Sequence, residues 1–335
     1  MAKGGDLTEV TYYTVANAPF FPGAVALLNS LRLTGNEGEL VFLDTGLSDE
    51  QRARLEPHSR LERAPAVAVA HPTLLKPFVH ELHRGGVAVL VDSDIIVTRS
   101  LAPLVEQAAT GKLCAYRDHP EQLERVFEAW SELFELRKPI RPRLYVNAGL
   151  VALGEPLAGW LLRRWWEATE RLHDQPLASD AAHPVWDLDQ DALNALLMSE
   201  VEPGDVVDLP DEMAIPPAIY RARVVAPDGL AVALDGHAVR VLHYTAAPKP
   251  WDRFGWTRVR RDAYTELLPR LLFGNDVLVR LEHDEVPIWL RGTGTGERAL
   301  SALNLVNRAA RGVATHTPRA VEERLRRLRL RLARP

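Results

Sequence analysis

Two carboxylates separated by one serine follow a run of apolar residues. Asp92 and Asp94 come directly after VAVLV and are followed by three further apolar residues. Charged side chains are rarely buried unless they are paired or bind a metal. In an extended chain residues i and i+2 point to the same side, so both carboxylates face one point. Two like charges held together favour a cation between them, and the pair predicts a site for Mg²⁺ or Mn²⁺.

A D-x-D tripeptide also occurs by chance in solvated turns, so the pair alone leaves both interpretations open. His243 ends the apolar run VRVLH, where its imidazole could turn to the same metal and favour Mn²⁺. Lys249, six residues later, could place its ammonium group on a diphosphate. Taken alone, this stretch favours a surface histidine and a solvated lysine beside a Pro-Trp turn.

Two further polar groups occur next to apolar segments. Asp189, Gln190 and Asp191 cluster at the start of a helical pattern. Aspartate is favoured at an N-cap, although three polar groups on a short loop could also face a sugar. Asn147 and Gly149 interrupt the apolar run YVNAGLVAL. A glycine there permits a close approach of the backbone to a ligand, and a harmless bulge is the alternative.

The elements that must position these residues alternate between strand and helix over the first 120 residues. The predicted order is a strand at 10–15, a helix at 22–34, a strand at 39–44, a helix at 71–86 and a strand at 87–92. This alternation predicts an α/β fold with a mostly parallel sheet and right-handed crossovers. Ligands of such sheets bind beyond the carboxyl ends of the strands, where the two aspartates lie.

Later segments are less regular. They predict a helix at 120–137, a strand at 144–153 interrupted at Asn-Ala-Gly, helices at 155–173 and from 187, a strand cluster at 223–244 and a helix at 259–273. We therefore expect a main domain over 1–275 and a C-terminal extension over 276–335. Residues 318–335 hold seven arginines around apolar residues at helical spacing. This basic amphipathic pattern predicts a membrane-surface helix, a helix packed on the main domain, or a dimer contact.

Composition narrows the class of protein. The chain has 335 residues, 47% hydrophobic and 25% charged, which is typical of a globular protein. The single Cys114 excludes an intramolecular disulfide and a cysteine-rich zinc site. We find no signal-peptide pattern and no apolar run long enough to span a bilayer, and expect a cytoplasmic protein. The net charge is −5 although residues 318–335 carry +5, so the rest carries −10, which argues against nucleic-acid binding.

The motifs, in their order along the chain, resemble those of the family 8 glycosyltransferases, the group of glycogenin and the lipopolysaccharide galactosyltransferases. The order is the loop TVANAPFF, Lys76 sixteen residues before Asp92, the triplet DSD, the triplet NAG, the pair DQ, and finally H-x5-K-P-W. The resemblance spans about residues 10–255. Each motif is weak alone, and the six in order with compatible spacing make a fairly specific signal.

The resemblance implies a GT-A fold, a UDP-sugar donor carrying glucose or galactose, and retention of anomeric configuration. It implies Mn²⁺, or Mg²⁺, held by Asp92, Asp94 and His243. Donor contacts would come from Thr14, Asn17, Phe20, Lys76, Ser93, Asn147, Ala148, Gly149 and Lys249, with Asp189 and Gln190 lining the sugar. Trp251 and Trp256 lie beside His243 and Lys249 in sequence, which makes them candidates for stacking on a sugar. Ala246 and Asp191 replace glycines that the family commonly has.

Together with these residues, the resemblance implies a metal-dependent retaining hexosyltransferase. A departing nucleoside diphosphate develops negative charge, which a divalent metal and Lys249 would stabilise. Asp189 or Gln190 would steady the oxocarbenium-like centre, while the acceptor remains unidentified: a glycan, a glycolipid or a small molecule. A non-catalytic nucleotide-sugar-binding scaffold is one alternative. Another metal-dependent phosphate enzyme, such as a sugar nucleotidyltransferase, is a second.

Overall fold

The computed structural model of the protein describes residues 9–67, 71–119, 122–175, 182–209, 212–226, 229–253, 255–257 and 259–314. The strands are β1 (Val10–Ala16), β2 (Glu39–Asp44), β3 (Arg60–Arg63), β4 (Val87–Val91), β5 (Ile95–Val97), β6 (Leu113–Arg117), β7 (Val146–Gly154), β8 (Val206–Leu209), β9 (Met213–Ala214), β10 (Arg223–Val224), β11 (Val232–Leu234), β12 (His237–Val239) and β13 (Val241–His243). The α-helices are α1 (Phe21–Leu33), α2 (Asp49–Leu55), α3 (Ala102–Ala108), α4 (Trp130–Leu133), α5 (Leu157–Glu170), α6 (Asp189–Ser199), α7 (Ala263–Phe273) and α8 (Gly294–Ala314).

The central sheet has seven strands in the order β3-β2-β1-β4-β7-β6-β8. β1 pairs in parallel with β2 and with β4, and β2 with β3. β7 runs antiparallel to both of its neighbours, β4 and β6, and β8 is parallel to β6. Strands β4 and β7 are buried along their whole length, as expected for a sheet that is covered on both faces. The predicted α/β fold with a mostly parallel sheet is confirmed.

A second, three-stranded sheet gives the residues predicted to bind metal their arrangement. Its order is β5-β13-β9, and β13 runs antiparallel to β5 with His243 opposite Ile95. Only the triplet Asp92-Ser93-Asp94 separates β4, in the central sheet, from β5. The pairing therefore carries His243 to the turn that holds both aspartates. A third sheet, β10-β11-β12, is antiparallel.

Helix α1 packs against the turn formed by Asp92, Ser93 and Asp94. Every residue of α1 from Phe21 to Leu31 is buried. A Cβ atom on Gly23 would collide with the carbonyl oxygen of Ser93 and would lie 2.7 Å from the ring of Trp251. Glycine is therefore required for the close approach of α1 to the Asp92–Asp94 turn.

Three predicted elements differ from the structure. The predicted helix at 71–86 is a 3-10 helix over Pro72–Glu81, since Pro77 inside it lacks the N–H that an α-helix would use. The predicted interruption at Asn147–Gly149 does not divide the strand, since β7 is one strand over Val146–Gly154. The interruption is a shift of register against β6, between Ala115 and Arg117, which pair with Val151 and Val146.

The predicted helix at 120–137 is wrong over most of its length. Of the described part of this segment, only Trp130–Leu133 is α-helical, and three-residue turns precede it. The segment is held by side chains that reach other parts of the chain. Arg125 bonds to the carbonyl oxygen of His183, and the Trp130 indole donates to that of Pro184. Such tertiary contacts override a helical pattern of apolar residues.

The chain after α7 packs against the same core as the central sheet. The Asn29 side-chain amide donates to the carbonyl oxygens of Leu271 and Val279, each at 2.7 Å. Leu281 and Leu290 are buried in the hydrophobic cluster that includes β4. The predicted Arg-rich helix at 318–335 lies outside the described residues. None of the described helices is both long and apolar enough to cross a membrane.

Candidate active site

A cavity of about 790 Å³ opens at the carboxyl ends of β1 and β4, beside β13. Thirteen of the residues predicted for the site line it: Asn17, Phe20, Lys76, Asp92, Ser93, Asp94, Asn147, Ala148, Gly149, Asp189, Gln190, His243 and Lys249. The fold thus brings together residues from six separate stretches of sequence. These residues meet because the strands beside them end at the same edge of the sheet.

The three predicted metal ligands form one group. The Nε2 atom of His243 lies 3.2 Å from Oδ1 of Asp94 and 3.6 Å from Oδ2 of Asp92. One ligand atom from each residue lies within 4.8 Å of the other two. Asp94 and His243 are 7% and 4% exposed, so solvent does little to separate their charges.

The environment of Asn147 fixes the proton on His243. The Asn147 Oδ1 atom accepts the Gly149 N–H at 2.9 Å, and its amide nitrogen donates to Asp118 at 3.2 Å. The oxygen therefore faces Nδ1 of His243, 3.2 Å away, and Nδ1 must be the donor in that contact. In the neutral imidazole, Nε2 then presents its lone pair to the two aspartates.

This arrangement fits a divalent cation. Oδ1 of Asp94 is buried and has no hydrogen-bond donor among the described residues, because its 3.2 Å contact with His243 lacks hydrogen-bond geometry. Three lone pairs, two from carboxylates and one from an imidazole, therefore converge without a donor between them. One nitrogen and two oxygens suit Mn²⁺ or Mg²⁺, and the outer hydrogen bond from Nδ1 is the usual way to orient a ligating histidine.

Two buried lysines flank the group. Lys76, 4% exposed, lies 2.7 Å from Asp92 and 3.0 Å from Asp189, and donates to the carbonyl oxygen of Ala148 at 3.0 Å. Burial lowers the pKa of Lys76, but the two carboxylates outweigh burial and hold that pKa above its usual value. Lys76 is therefore positively charged at neutral pH. It links Asp92, a predicted metal ligand, to Asp189, which is predicted to face the sugar.

Lys249 pairs with the other metal-side carboxylate. Its Nζ lies 2.6 Å from Oδ2 of Asp94 and donates to the carbonyl oxygen of Tyr244 at 2.6 Å. Burial works to raise the pKa of Asp94, but the Lys249 ammonium beside it overcomes burial and holds that pKa well below the usual value. In this structure the lysine predicted for the diphosphate thus neutralises a predicted metal ligand.

Asp118 was missed by the sequence analysis and organises the far side of the cavity. It follows β6 directly, and its carboxylate accepts the side-chain amides of Gln190 at 2.6 Å and Asn147 at 3.2 Å. Gln190 in turn accepts the Ala148 N–H at 2.8 Å. Because an aspartate at the end of a sheet strand is the signal that identified Asp92, the same rule could have found Asp118.

The structure corrects two predicted donor contacts. Trp251 is 6% exposed, and its indole N–H donates to the carbonyl oxygen of Pro19 at 3.1 Å. Its ring packs edge-on against Phe20 with centroids 6.2 Å apart, so it supports that ring from behind the cavity wall. Thr14 is 2% exposed on β1. Neither side chain lines the cavity, so direct contact with a donor does not fit either position.

Other residues line the cavity without having been predicted, among them His71, Trp186 and Asp187. Burial raises the pKa of Asp187 to about 7, helped by the nearby carboxylates of Asp191 and Asp118. All three precede the helices at Pro72–Glu81 and Asp189–Ser199, whereas the sequence pattern predicted helices that begin at 71 and 187 and gave no sign that these side chains face a cavity. Asp191, where the family commonly has glycine, is fully buried and bonded to Arg125 rather than facing the cavity.

Replacing Gly149 with alanine is expected to weaken Mn²⁺ binding by ~10-fold or more while the fold is retained. The new Cβ would collide with Cε1 of His243 and lie 2.6 Å from its Nδ1, displacing the imidazole from the aspartates. Gly204→Ala is the control, since nothing lies within 4 Å of a Cβ at that position. Mn²⁺ titration by calorimetry measures both. Equal affinities for the two variants would contradict the placement of His243.

No protein-family model matches the chain, and no curated protein matches it. Solved glycosyltransferase structures do resemble it. The galactosyltransferase LgtC, in complex with donor and acceptor sugar analogs, is 20% identical over 73% of this chain and 90% of its own, with a TM-score of 0.47. GlyE of Streptococcus pneumoniae is 17% identical over 74% of this chain and 57% of its own, with a TM-score of 0.46.

The bifunctional glycosyltransferase WbbM gives the comparison on which the fold assignment rests. It is 16% identical over 89% of this chain, with a TM-score of 0.51, and the match spans about half of WbbM, 52% of its length. A likeness at such low sequence identity shows a shared fold only. The reaction has to be inferred from the residues of the site. The chain has the GT-A fold of glycosyltransferases.

Proposed function

We propose that the protein is a metal-dependent retaining glycosyltransferase that moves a hexose from a UDP-sugar to a hydroxyl acceptor. The observation that carries the proposal is the convergence of Asp92, Asp94 and His243 between two buried ammonium groups, with no hydrogen-bond donor to Oδ1 of Asp94 in the described part of the chain. Such a set of charges suits a cation and an anionic diphosphate together. It lies in a cavity of about 790 Å³, large enough for a donor and an acceptor.

The chain's own residues supply defined parts of the reaction. When bound by the three ligands, a divalent ion offsets the negative charge that develops on the departing diphosphate. Lys249 would leave Asp94 and add its charge to the same oxygens. Asp189 and Gln190, held by Lys76 and Asp118, would face the sugar and stabilise the oxocarbenium-like centre. Asn17 and Phe20 would contact the nucleotide from the opposite wall.

The chemistry favours retention. A hydroxyl acceptor that enters beside the departing diphosphate can give its proton to a phosphate oxygen on the same face of the sugar. No side chain is then needed as a strong acid on the leaving side. The donor sugar proposed is glucose or galactose, as the family resemblance implies.

We further propose that residues 1–275 carry the transferase site and that 276–335 form an extension. The seven arginines of 318–335 suit an anionic membrane surface or a second subunit. A cytoplasmic location is proposed from the single reduced cysteine, Cys114.

Calorimetric titration with a panel of nucleoside diphosphates, with and without Mn²⁺, tests the proposal. Tight binding of UDP that requires Mn²⁺ in the wild type, and its loss in Asp94→Ala, is the expected result. Asp284→Ala, at an exposed position outside the cavity, is the control and should bind as the wild type does. The absence of nucleotide binding with either Mn²⁺ or Mg²⁺ would contradict the proposal and favour a scaffold.

A further inference from the structure

A buried carboxylate holds the segment that precedes the predicted catalytic residues. Asp191 is fully buried, and its two oxygens accept Nε of Arg125 at 2.6 Å and Nη2 at 3.0 Å. The same carboxylate accepts the Tyr145 hydroxyl at 2.8 Å and the backbone N–H of Asp187 at 2.7 Å. Its negative charge is thus matched by one guanidinium and two neutral donors.

The segment held in this way has a strained backbone. Leu188 has a φ of +46°, in the left-handed region that side chains other than glycine rarely adopt. Such a conformation persists only where the surroundings impose it. Here the bond from the Asp187 N–H to Asp191 fixes one side of the turn, and Arg125 also donates to the carbonyl oxygen of His183 at 2.6 Å.

Asp189 and Gln190 follow Leu188 directly and begin α6. Their orientation is set by the direction in which the chain leaves the turn. We propose that Arg125 is a positioning residue, which acts through Asp191 to hold the Asp187–Leu188 turn and so sets Asp189 and Gln190 in the cavity. The effect of Arg125 on sugar transfer rests on the proposed function. Its effect on the turn rests on geometry alone.

The expected defect is specific. Asp92 and Asp94 lie on the turn between β4 and β5, His243 lies on β13, and none of them contacts Arg125 or Asp191 through a described hydrogen bond or ion pair. Binding of metal and nucleotide should therefore survive the loss of Arg125. Turnover should not, because a small misplacement of a group at the reacting centre costs roughly 100-fold.

The chain offers a matched control in a second buried ion pair. Arg164 and Glu200 are 4% and 8% exposed, and Nη2 of Arg164 lies 2.9 Å from the carboxylate. Arg164 also donates to the carbonyl oxygens of Phe134 and Glu135, so it anchors part of the segment at 122–137 to which Arg125 belongs. It does not line the cavity. Loss of either arginine removes the closest cation from a buried carboxylate, although Glu200 keeps Arg137 at 3.9 Å, and destabilises the fold by a similar mechanism.

The experiment compares the wild type with the variants Arg125→Met, Arg125→Lys and Arg164→Met. All are made in the full chain and measured at a temperature at which all are folded. Hydrogen exchange is followed in the peptide that covers residues 186–190, and hydrolysis of UDP-glucose and UDP-galactose is followed with Mn²⁺. Arg125→Met should speed exchange in that peptide and lower kcat by ~100-fold, with the Kd for UDP within ~3-fold of wild type. Arg125→Lys should recover part of both effects, and Arg164→Met should change neither beyond ~2-fold.

The possible results separate a positioning role of Arg125 from a general loss of stability. Unchanged exchange at 186–190 in Arg125→Met overturns the inference whether or not any nucleotide binds. Equal losses of kcat in Arg125→Met and Arg164→Met would reduce the effect to general destabilisation and also overturn it. If Arg125→Met does not fold, Arg125→Met/Asp191→Asn removes both charges and should show the same loss. Wild type that binds no nucleotide would instead refute the proposed function and leave the exchange result standing.

Discussion

Lys249→Met is expected to tighten the binding of Mn²⁺ alone and to weaken the binding of UDP in the presence of Mn²⁺. The Lys249 ammonium lies 2.6 Å from Asp94 and competes with any cation for that carboxylate. Two charges a few ångströms apart interact by about 4 kcal/mol at an effective dielectric of about 20, so the competition is substantial. Removal of the ammonium frees the metal ligand and also removes the positive charge intended for the diphosphate.

The two effects have opposite signs, and this is what makes the measurement informative. Calorimetry with Mn²⁺ alone, and with UDP at saturating Mn²⁺, should show changes of ~10-fold or more in each direction. Lys138→Met is the control, because Lys138 is exposed, pairs with Glu202 and does not line the cavity. Weaker Mn²⁺ binding in Lys249→Met would contradict the competition, and unchanged UDP binding would contradict the assignment of Lys249 to the diphosphate.

Lys76→Met is expected to lower the free energy of unfolding by about 3–5 kcal/mol in the absence of metal. The ammonium is almost fully buried between Asp92 and Asp189, and its loss leaves two carboxylates facing each other without a counter-charge. Urea unfolding measures the change, again with Lys138→Met as the control. Mn²⁺ should restore more stability to this variant than to the wild type, because the ion replaces part of the missing charge.

Hydrolysis of UDP-sugar by Lys76→Met should fall by ~100-fold or more, since Asp189 loses the partner that fixes its carboxylate. A variant as stable as the wild type without metal would show that the two carboxylates are neutralised in some other way. Such a result would remove the physical argument for Lys76 as the link between the metal and the sugar.

The sequence predicts most of the site because its chemistry is local. Asp92 and Asp94 follow an apolar strand, and His243 ends another, so a rule about strand ends is enough to group them. The spacing from His243 to Lys249 is likewise readable from one short stretch. Neighbouring strands then bring these stretches together, and the mostly parallel sheet is itself predicted by the alternation of elements.

The features that the sequence did not predict depend on contacts between distant segments. Trp251 lies two residues from Lys249 in sequence, yet its ring turns toward Pro19 and α1 because Gly23 leaves room there. Asp187 gains its raised pKa from burial and from carboxylates that only the folded loop brings near. The pattern at 120–137 favours a helix, and Arg125 instead binds Asp191 on α6. Patterns of neighbouring residues in the sequence cannot identify these partners.

The pairing of β5 with β13 has a consequence for synthesis of the chain. Ile95, Ile96 and Val97 are fully buried in the folded protein, but β13 is translated long after them. Until the ribosome has released residues 241–243, this apolar strand lacks a neighbour to bond with, and the metal ligands lack their histidine. The nascent protein therefore carries an open strand edge next to Asp94, which at that stage lacks both His243 and Lys249, the kind of intermediate that chaperones bind and that aggregates when they are absent. The three predicted metal ligands can therefore meet only after His243 has been synthesised, long after Asp92 and Asp94.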